Sequence, residues 1–111
     1  MKLTTDSRET LDVITVEANR IDAAVAIQFK DQMREAVVDA DGRVVLNLAR
    51  VDFIDSSGLG AIVAAMKLMP DGRKLELAAL TPTVDKVFRM TRMDSIFAIH
   101  DSVESATQSA I

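Results

Sequence analysis

Val51-Asp52-Phe53-Ile54-Asp55-Ser56-Ser57-Gly58-Leu59-Gly60 is the stretch where the chain changes period. Upstream, Val44-Val45-Leu46-Asn47-Leu48-Ala49 is a nearly continuous apolar run, the pattern of a strand covered on both faces. Downstream, Leu59, Ile62, Val63 and Met66 recur at the spacing of one helical face. A strand therefore ends and a helix begins inside the stretch. With Asp55 as N-cap, its carboxylate can accept from the backbone N–H of Ser57 or Gly58, and Ile54 and Leu59 have the spacing of a hydrophobic staple. Ser56 and Ser57 then fall in the first turn, where unpaired N–H groups and the positive end of the helix dipole favour an added negative charge.

The same reading extends outward in both directions. About Lys2 to Arg8 is polar, the mark of an edge strand or a loose arm, and Leu11 to Ala18 is rich in β-branched residues and predicts a firm strand. Asp22 is placed to cap a helix over Ala23 to about Ala40, with Ala26, Phe29, Met33, Ala36, Val37 and Ala40 as its inner stripe. Asp41-Gly42 turns the chain into the Val44 strand. The helix after the central stretch should end near Leu68, and Pro70-Asp71-Gly72 should turn the chain into a strand over Lys74 to Leu80. Thr81-Pro82 supplies an N-cap and a first-turn proline for a helix with Val84, Val87, Phe88 and Thr91 inside. Ile96 to Ile99 predicts a last short strand. Asp101 and Glu104 have capping-box spacing before a final helix with Val103, Ala106, Thr107 and Ala110 inward.

The expected order is ββαβαβαβα: an α/β fold with a mostly parallel, mixed sheet of four to five strands and about four helices. Residues 1–111 are read as one domain, the size of a single core. Sites in such sheets form where strand C-termini meet helix N-termini. Asp22, the Asp55–Gly60 turn and Thr81 all stand at such junctions and are expected on one edge of the molecule.

Composition narrows the chemistry. The chain is 49% apolar with four aromatic residues, all Phe, which suits helices packed on a sheet better than a ring-lined ligand groove. A net charge of -4 with scattered basic residues argues against nucleic-acid or anionic-membrane surfaces. With no cysteine there is no disulfide framework or thiolate chemistry, and the N-terminus lacks an apolar signal core. No apolar run approaches the roughly 20 residues needed to span a bilayer. The expectation is a cytoplasmic protein.

Three chemistries fail for want of a specific partner residue. A serine hydrolase would place glycines around the nucleophile as G-x-S-x-G, but Ile54 and Asp55 precede the serines by two, and His100 is the lone histidine. Gly58-Leu59-Gly60 lacks the third glycine of a dinucleotide fingerprint, since Val63 stands there, and no P-loop is present. Two glycines here are better explained by close approach to a neighbour, including a partner protein. Asp22, Asp52 and Asp55 invite comparison with the receiver domains of two-component signalling, but His100 and Asp101 follow the last strand where those domains need lysine. No metal or other cofactor is expected. A phosphorylation switch survives, because a serine in an exposed first turn gains about -1.5 to -2 charge on phosphorylation and its phosphate meets free N–H groups.

Asp55-Ser56-Ser57-Gly58-Leu59-Gly60, preceded by Val51-Asp52-Phe53-Ile54, resembles the phosphorylation motif of the anti-sigma factor antagonists, the stand-alone STAS domains of bacteria. The resemblance continues through Ile21-Asp22-Ala23, Val45-Leu46-Asn47-Leu48, Gly72-Arg73-Lys74-Leu75, Ile96 to Ser102 and Glu104-Ser105-Ala106. It implies a non-catalytic partner switch on a STAS fold. The unphosphorylated chain would bind an anti-sigma factor that is also a serine kinase of the histidine-kinase ATPase fold. Phosphorylation on Ser56 would release it, and a PP2C-type phosphatase would reset it. Asp55, Ser57 and Gly58 would shape the phosphosite turn, and Asp22, Leu59, Gly60 and Thr81 would belong to the partner-facing surface. Such a switch is expected to be a monomer or weak dimer. The alternative within the resemblance is a STAS scaffold or regulatory subunit in an assembly of the stressosome, secretion or lipid-transport type.

Overall fold

The computed structural model describes residues 1–109, so Ala110 of the expected inner stripe lies outside the described residues. In chain order the elements are β1 (Leu3–Ser7), β2 (Leu11–Val16), β3 (Arg20–Ile21), α1 (Ala26–Val37), β4 (Arg43–Asn47), β5 (Phe53–Ile54), α2 (Ser56–Met66), β6 (Leu75–Ala78), α3 (Pro82–Met90), β7 (Ala98–His100) and α4 (Val103–Gln108). Five strands form one sheet in the order β1-β2-β4-β6-β7. The polar first strand pairs antiparallel with β2 at the edge, and the other pairs are parallel. This is the mixed sheet expected from the alternation of strands and helices.

Alternation along the strands divides the side chains between two faces. On one, Ile14, Val16, Val44, Leu46, Leu75 and Leu77 join Phe29 and Met33 of α1, Ile62 and Ala65 of α2, and Val84 and Phe88 of α3 in the main core. Phe88 meets Phe97 edge-to-face at 5.9 Å between ring centroids. A fully buried Leu, Ile or Phe contributes on the order of 1.5–3 kcal/mol, so this face holds most of the folding energy. On the other face, Leu11, Val13, Val45 and Ala78 pack with Ala106 and Val103 of α4.

Four local expectations are corrected. Helix α1 begins at Ala26 rather than Ala23, because Asp22 closes a turn instead: its carboxylate accepts from Ala24 N–H at 3.1 Å and its carbonyl from Val25 N–H. The buried face of α2 is Gly58, Ala61, Ile62 and Ala65, with Leu59, Val63 and Met66 at its margin. Small residues let α2 lie close to its neighbours, and a period weighted by side-chain hydrophobicity overlooks them. Strand β7 is shifted to Ala98–His100, because Met93–Ser95 forms a 3-10 turn that Ile96 ends. Helix α4 is capped by Ser102, whose hydroxyl accepts from Ser105 N–H at 3.0 Å, so Asp101 stays outside and Glu104 sits in the first turn. The two-residue strands β3 and β5, which pair parallel with each other, carry no periodic signal and were not anticipated.

The second face holds a buried polar group, Glu76, only 5% exposed. Arg43, on the adjacent strand, grips it with two hydrogen bonds of 2.9 and 2.6 Å, and His100 Nε2 lies 2.8 Å from it. The same guanidinium donates to the carbonyls of Ala106 and Ser109, tying the end of α4 to the sheet. Burial pushes the Glu76 carboxyl up, but the hydrogen bonds from Arg43 and His100 and the charge of Arg43 outweigh it and hold the group below its ordinary value of 4.5. A depressed carboxylate stabilises the fold above its unfolded pKa and loses that contribution as pH falls through its folded value. Glu76→Ala is therefore expected to cost about 3 kcal/mol at neutral pH, the cost of breaking a buried pair. In urea unfolding, its deficit relative to the unmodified chain should shrink as pH drops below about 4.

Candidate functional site

The site is built where two short segments run side by side. Arg20-Ile21 and Phe53-Ile54 pair in parallel, Arg20 opposite Phe53 and Ile21 opposite Ile54. Both sequences alternate in the same sense: Ile21 and Ile54 point into the core, while Arg20 and Phe53 point outward. Outside, the Arg20 guanidinium carbon lies 4.9 Å from the centre of the Phe53 ring, within cation–π range. Arg20 also forms an ion pair of 2.9 Å with Asp22.

Asp55 stands where both segments turn. One carboxylate oxygen accepts from Gly58 N–H at 2.8 Å, capping α2, and the other accepts from Ala23 N–H at 3.2 Å, fastening the turn that leads to α1. The hydrogen bond from Gly58, helped by those from Ala23 and Ser57 and opposed by some burial, holds the Asp55 carboxyl below its ordinary value. It stays ionised at neutral pH, as an acceptor of several N–H groups must. Ser56 and Ser57 follow in the first turn of α2, both exposed. Their side of the helix end carries the positive pole of the dipole.

The two glycines have different roles. A Cβ on Gly58 would lie 1.9 Å from the Ile21 carbonyl oxygen, so Gly58 is what lets α2 seat against β3. Gly60 has nothing within 4 Å of a built Cβ and faces open space. The expectation of close approach at both glycines is thus met at Gly58 by the chain's own packing, and Gly60 lies open. Leu59 beside them is half-buried.

Of the other residues singled out by sequence, Asp22 is brought directly to this edge, sharing the turn with Asp55. Thr81 occupies the N-cap position of α3 but its side chain does not cap: the hydroxyl donates to the Val51 carbonyl at 2.7 Å and pins the loop that leads into β5. Arg20 and Phe53 were overlooked as members of the site. The signal that finds them is the outward half of each alternation, an Arg before Ile21-Asp22 and a Phe before Ile54-Asp55. Among the described residues no three His, Asp or Glu side chains converge to hold a metal ion, and none of the helices is long and apolar enough to cross a membrane.

The STAS domain profile matches residues 4–106. BtrV of Bordetella bronchiseptica, designated an anti-sigma factor antagonist, is 32% identical over 107 residues, covering 96% of this chain and 91% of the relative. An anti-sigma factor antagonist from Mycobacterium paratuberculosis superimposes with a TM-score of 0.84 at 20% identity, over 96% and 90% of the two chains. The Bacillus cell fate determinant SpoIIAA, solved in its phosphorylated form, gives a TM-score of 0.66 at 20% identity over 96% of each chain. At these identities the structural likeness establishes the fold.

The glycine geometry makes two opposite predictions. Gly58→Ala should destabilise the chain by about 2 kcal/mol or more, since backbone must move to make room. Gly60→Ala should stabilise it by about 0.5–1 kcal/mol, as expected for an unobstructed helix interior. Urea denaturation midpoints at constant slope measure both.

Proposed function

The chain belongs to the STAS domain family, and we propose that within it this protein is an anti-sigma factor antagonist whose state is set by phosphorylation of Ser56. The observation that carries the reading is Ser56 itself, exposed at the first position of α2, directly after a cap that is held ionised and geometrically fixed. The hydroxyl is presented to solvent, while the turn that presents it is tied on both sides.

In this mechanism the unphosphorylated chain binds an anti-sigma factor through the edge formed by Asp22, Ser56, Leu59 and Gly60. The partner is a serine kinase of the histidine-kinase ATPase fold. The Ser56 oxygen takes the γ-phosphoryl group of ATP, losing its proton, and ADP leaves. The first-turn N–H groups receive the phosphate with little rearrangement of the helix. The fold survives while the surface gains close to two negative charges beside Asp22 and Asp55. A partner packed on that edge would bury unpaired like charges, and is expelled. A PP2C-type phosphatase hydrolyses the ester and restores the first state. The chain supplies no catalytic group, acts in the cytoplasm, and works as a monomer or weak dimer.

Relatives support the general role: BtrV carries the designation of anti-sigma factor antagonist, and SpoIIAA has been solved with the same fold in phosphorylated form. The neighbouring Ser57 shares the first turn and is the natural competitor. Incubation with the cognate kinase and ATP, followed by tandem mass spectrometry, should place a single phosphate on Ser56, and Ser56→Ala should abolish incorporation. Phosphate found on Ser57, or retained by Ser56→Ala, overturns the assignment.

A further inference from the structure

The segments that make the site, residues 19–25 and 52–60, contain three acids, Asp22, Asp52 and Asp55, and a single base, Arg20. A phosphoserine at position 56 would enter this acidic neighbourhood. Arg50, two residues before the second segment, is engaged with Glu17. Arg20 is differently placed. Its guanidinium is directed along β3 toward Asp22, 2.9 Å away, and so toward the end of the strand pair where α2 begins.

Continuing the observed register past Ile21 opposite Ile54 sets Asp22 beside Asp55, at the roughly 4.8 Å spacing of neighbouring strands. The hydrogen bond from Ala23 N–H to Asp55 confirms that the two segments remain adjacent there. Ser56 is therefore one residue beyond the carboxylate that faces Arg20's present partner. The tether on Arg20 is also weak. Its side chain is 56% exposed, and exposed ion pairs contribute little. A phosphate dianion is the stronger acceptor for a guanidinium, which can bond two of its oxygens at once.

We propose that Arg20 is the counter-ion of phosphorylated Ser56: its guanidinium departs from Asp22 and the Phe53 ring and pairs with the phosphate when it is present. This inference rests on the reading of Ser56 as the modified residue. It adds a second change to the switch. Phosphorylation would add charge at α2, and it would also strip Asp22 of its cation and uncover Phe53, already 42% exposed. A partner that reads Arg20 stacked on Phe53 would then lose two contacts from one chemical event.

The test uses the full chain with phosphoserine installed at position 56 by genetic code expansion, so that no kinase is needed. The second ionisation of the phosphate is followed by 31P NMR against pH in the otherwise unmodified chain, in Arg20→Gln and in Arg20→Lys. The expected result is a midpoint lower by about half a unit or more in the Arg20 chain than in Arg20→Gln, as a cation within ~6 Å produces. Arg20→Lys should fall between them, and the difference should vanish when the chains are unfolded in urea. Coincident midpoints for folded Arg20 and Arg20→Gln chains overturn the inference. They would leave the kinase reading untouched, because that stands on phosphate transfer to Ser56.

Discussion

A single carboxylate holds the working end of this molecule together. Asp55 spends one oxygen on Gly58 N–H and the other on Ala23 N–H, and so fixes the start of α2 and the turn before α1 in one stroke. Those two turns belong to segments about 30 residues apart in sequence, as the separation of Ala23 and Asp55 shows. Gly58 is the steric counterpart of this electrostatic tie. Without a Cβ it admits the Ile21 carbonyl, and only then can the cap reach across. The exposed serines are consequently displayed on an edge tied from both sides, as the proposed recognition in two chemical states requires.

The opposite face of the sheet solves a separate problem. Helix α4 is six residues long, too short to be stable by itself, and its apolar contribution is little more than Ala106 and Val103. Arg43 compensates by bonding the carbonyls at its C-terminal end while neutralising Glu76. Such a network carries polar groups into the interior with their hydrogen bonds satisfied. It sits across the sheet from the main core, so the charge change proposed for the α2 edge need not pass through it.

Much of this architecture was legible in the residues. The strand alternation, the change of period at Asp55 and the Thr81-Pro82 helix start each follow from local chemistry, and each element exists where its pattern stands. What escaped has a physical reason in every case. The seating face of α2 is made from Gly58, Ala61 and Ala65, whose value lies in what they lack, so a search for large apolar residues selected Leu59, Val63 and Met66 instead. Asp22 closes a turn instead of capping α1, and Ser102 takes the cap expected of Asp101, because a cap depends on the backbone angles of one residue and Ser102 is extended with its hydroxyl on Ser105 N–H. The pairing of Arg20-Ile21 with Phe53-Ile54 is two residues long. No period can be read from two residues, and the outward pair of Arg20 and Phe53 was hidden with it.

On the proposed function, one phosphate changes what the Ser56 edge binds while leaving the fold in place. The direct measurement is a calorimetric titration of the unphosphorylated chain and the Ser56-phosphorylated chain, each against the same ADP-loaded anti-sigma kinase, with thermal unfolding of both forms recorded in parallel. The phosphorylated form should bind at least about tenfold more weakly, equivalent to about 1.4 kcal/mol, with both forms unfolding cooperatively at closely similar temperatures. Equal affinity of the two forms, or a loss of binding that accompanies collapse of the phosphorylated fold, would contradict it.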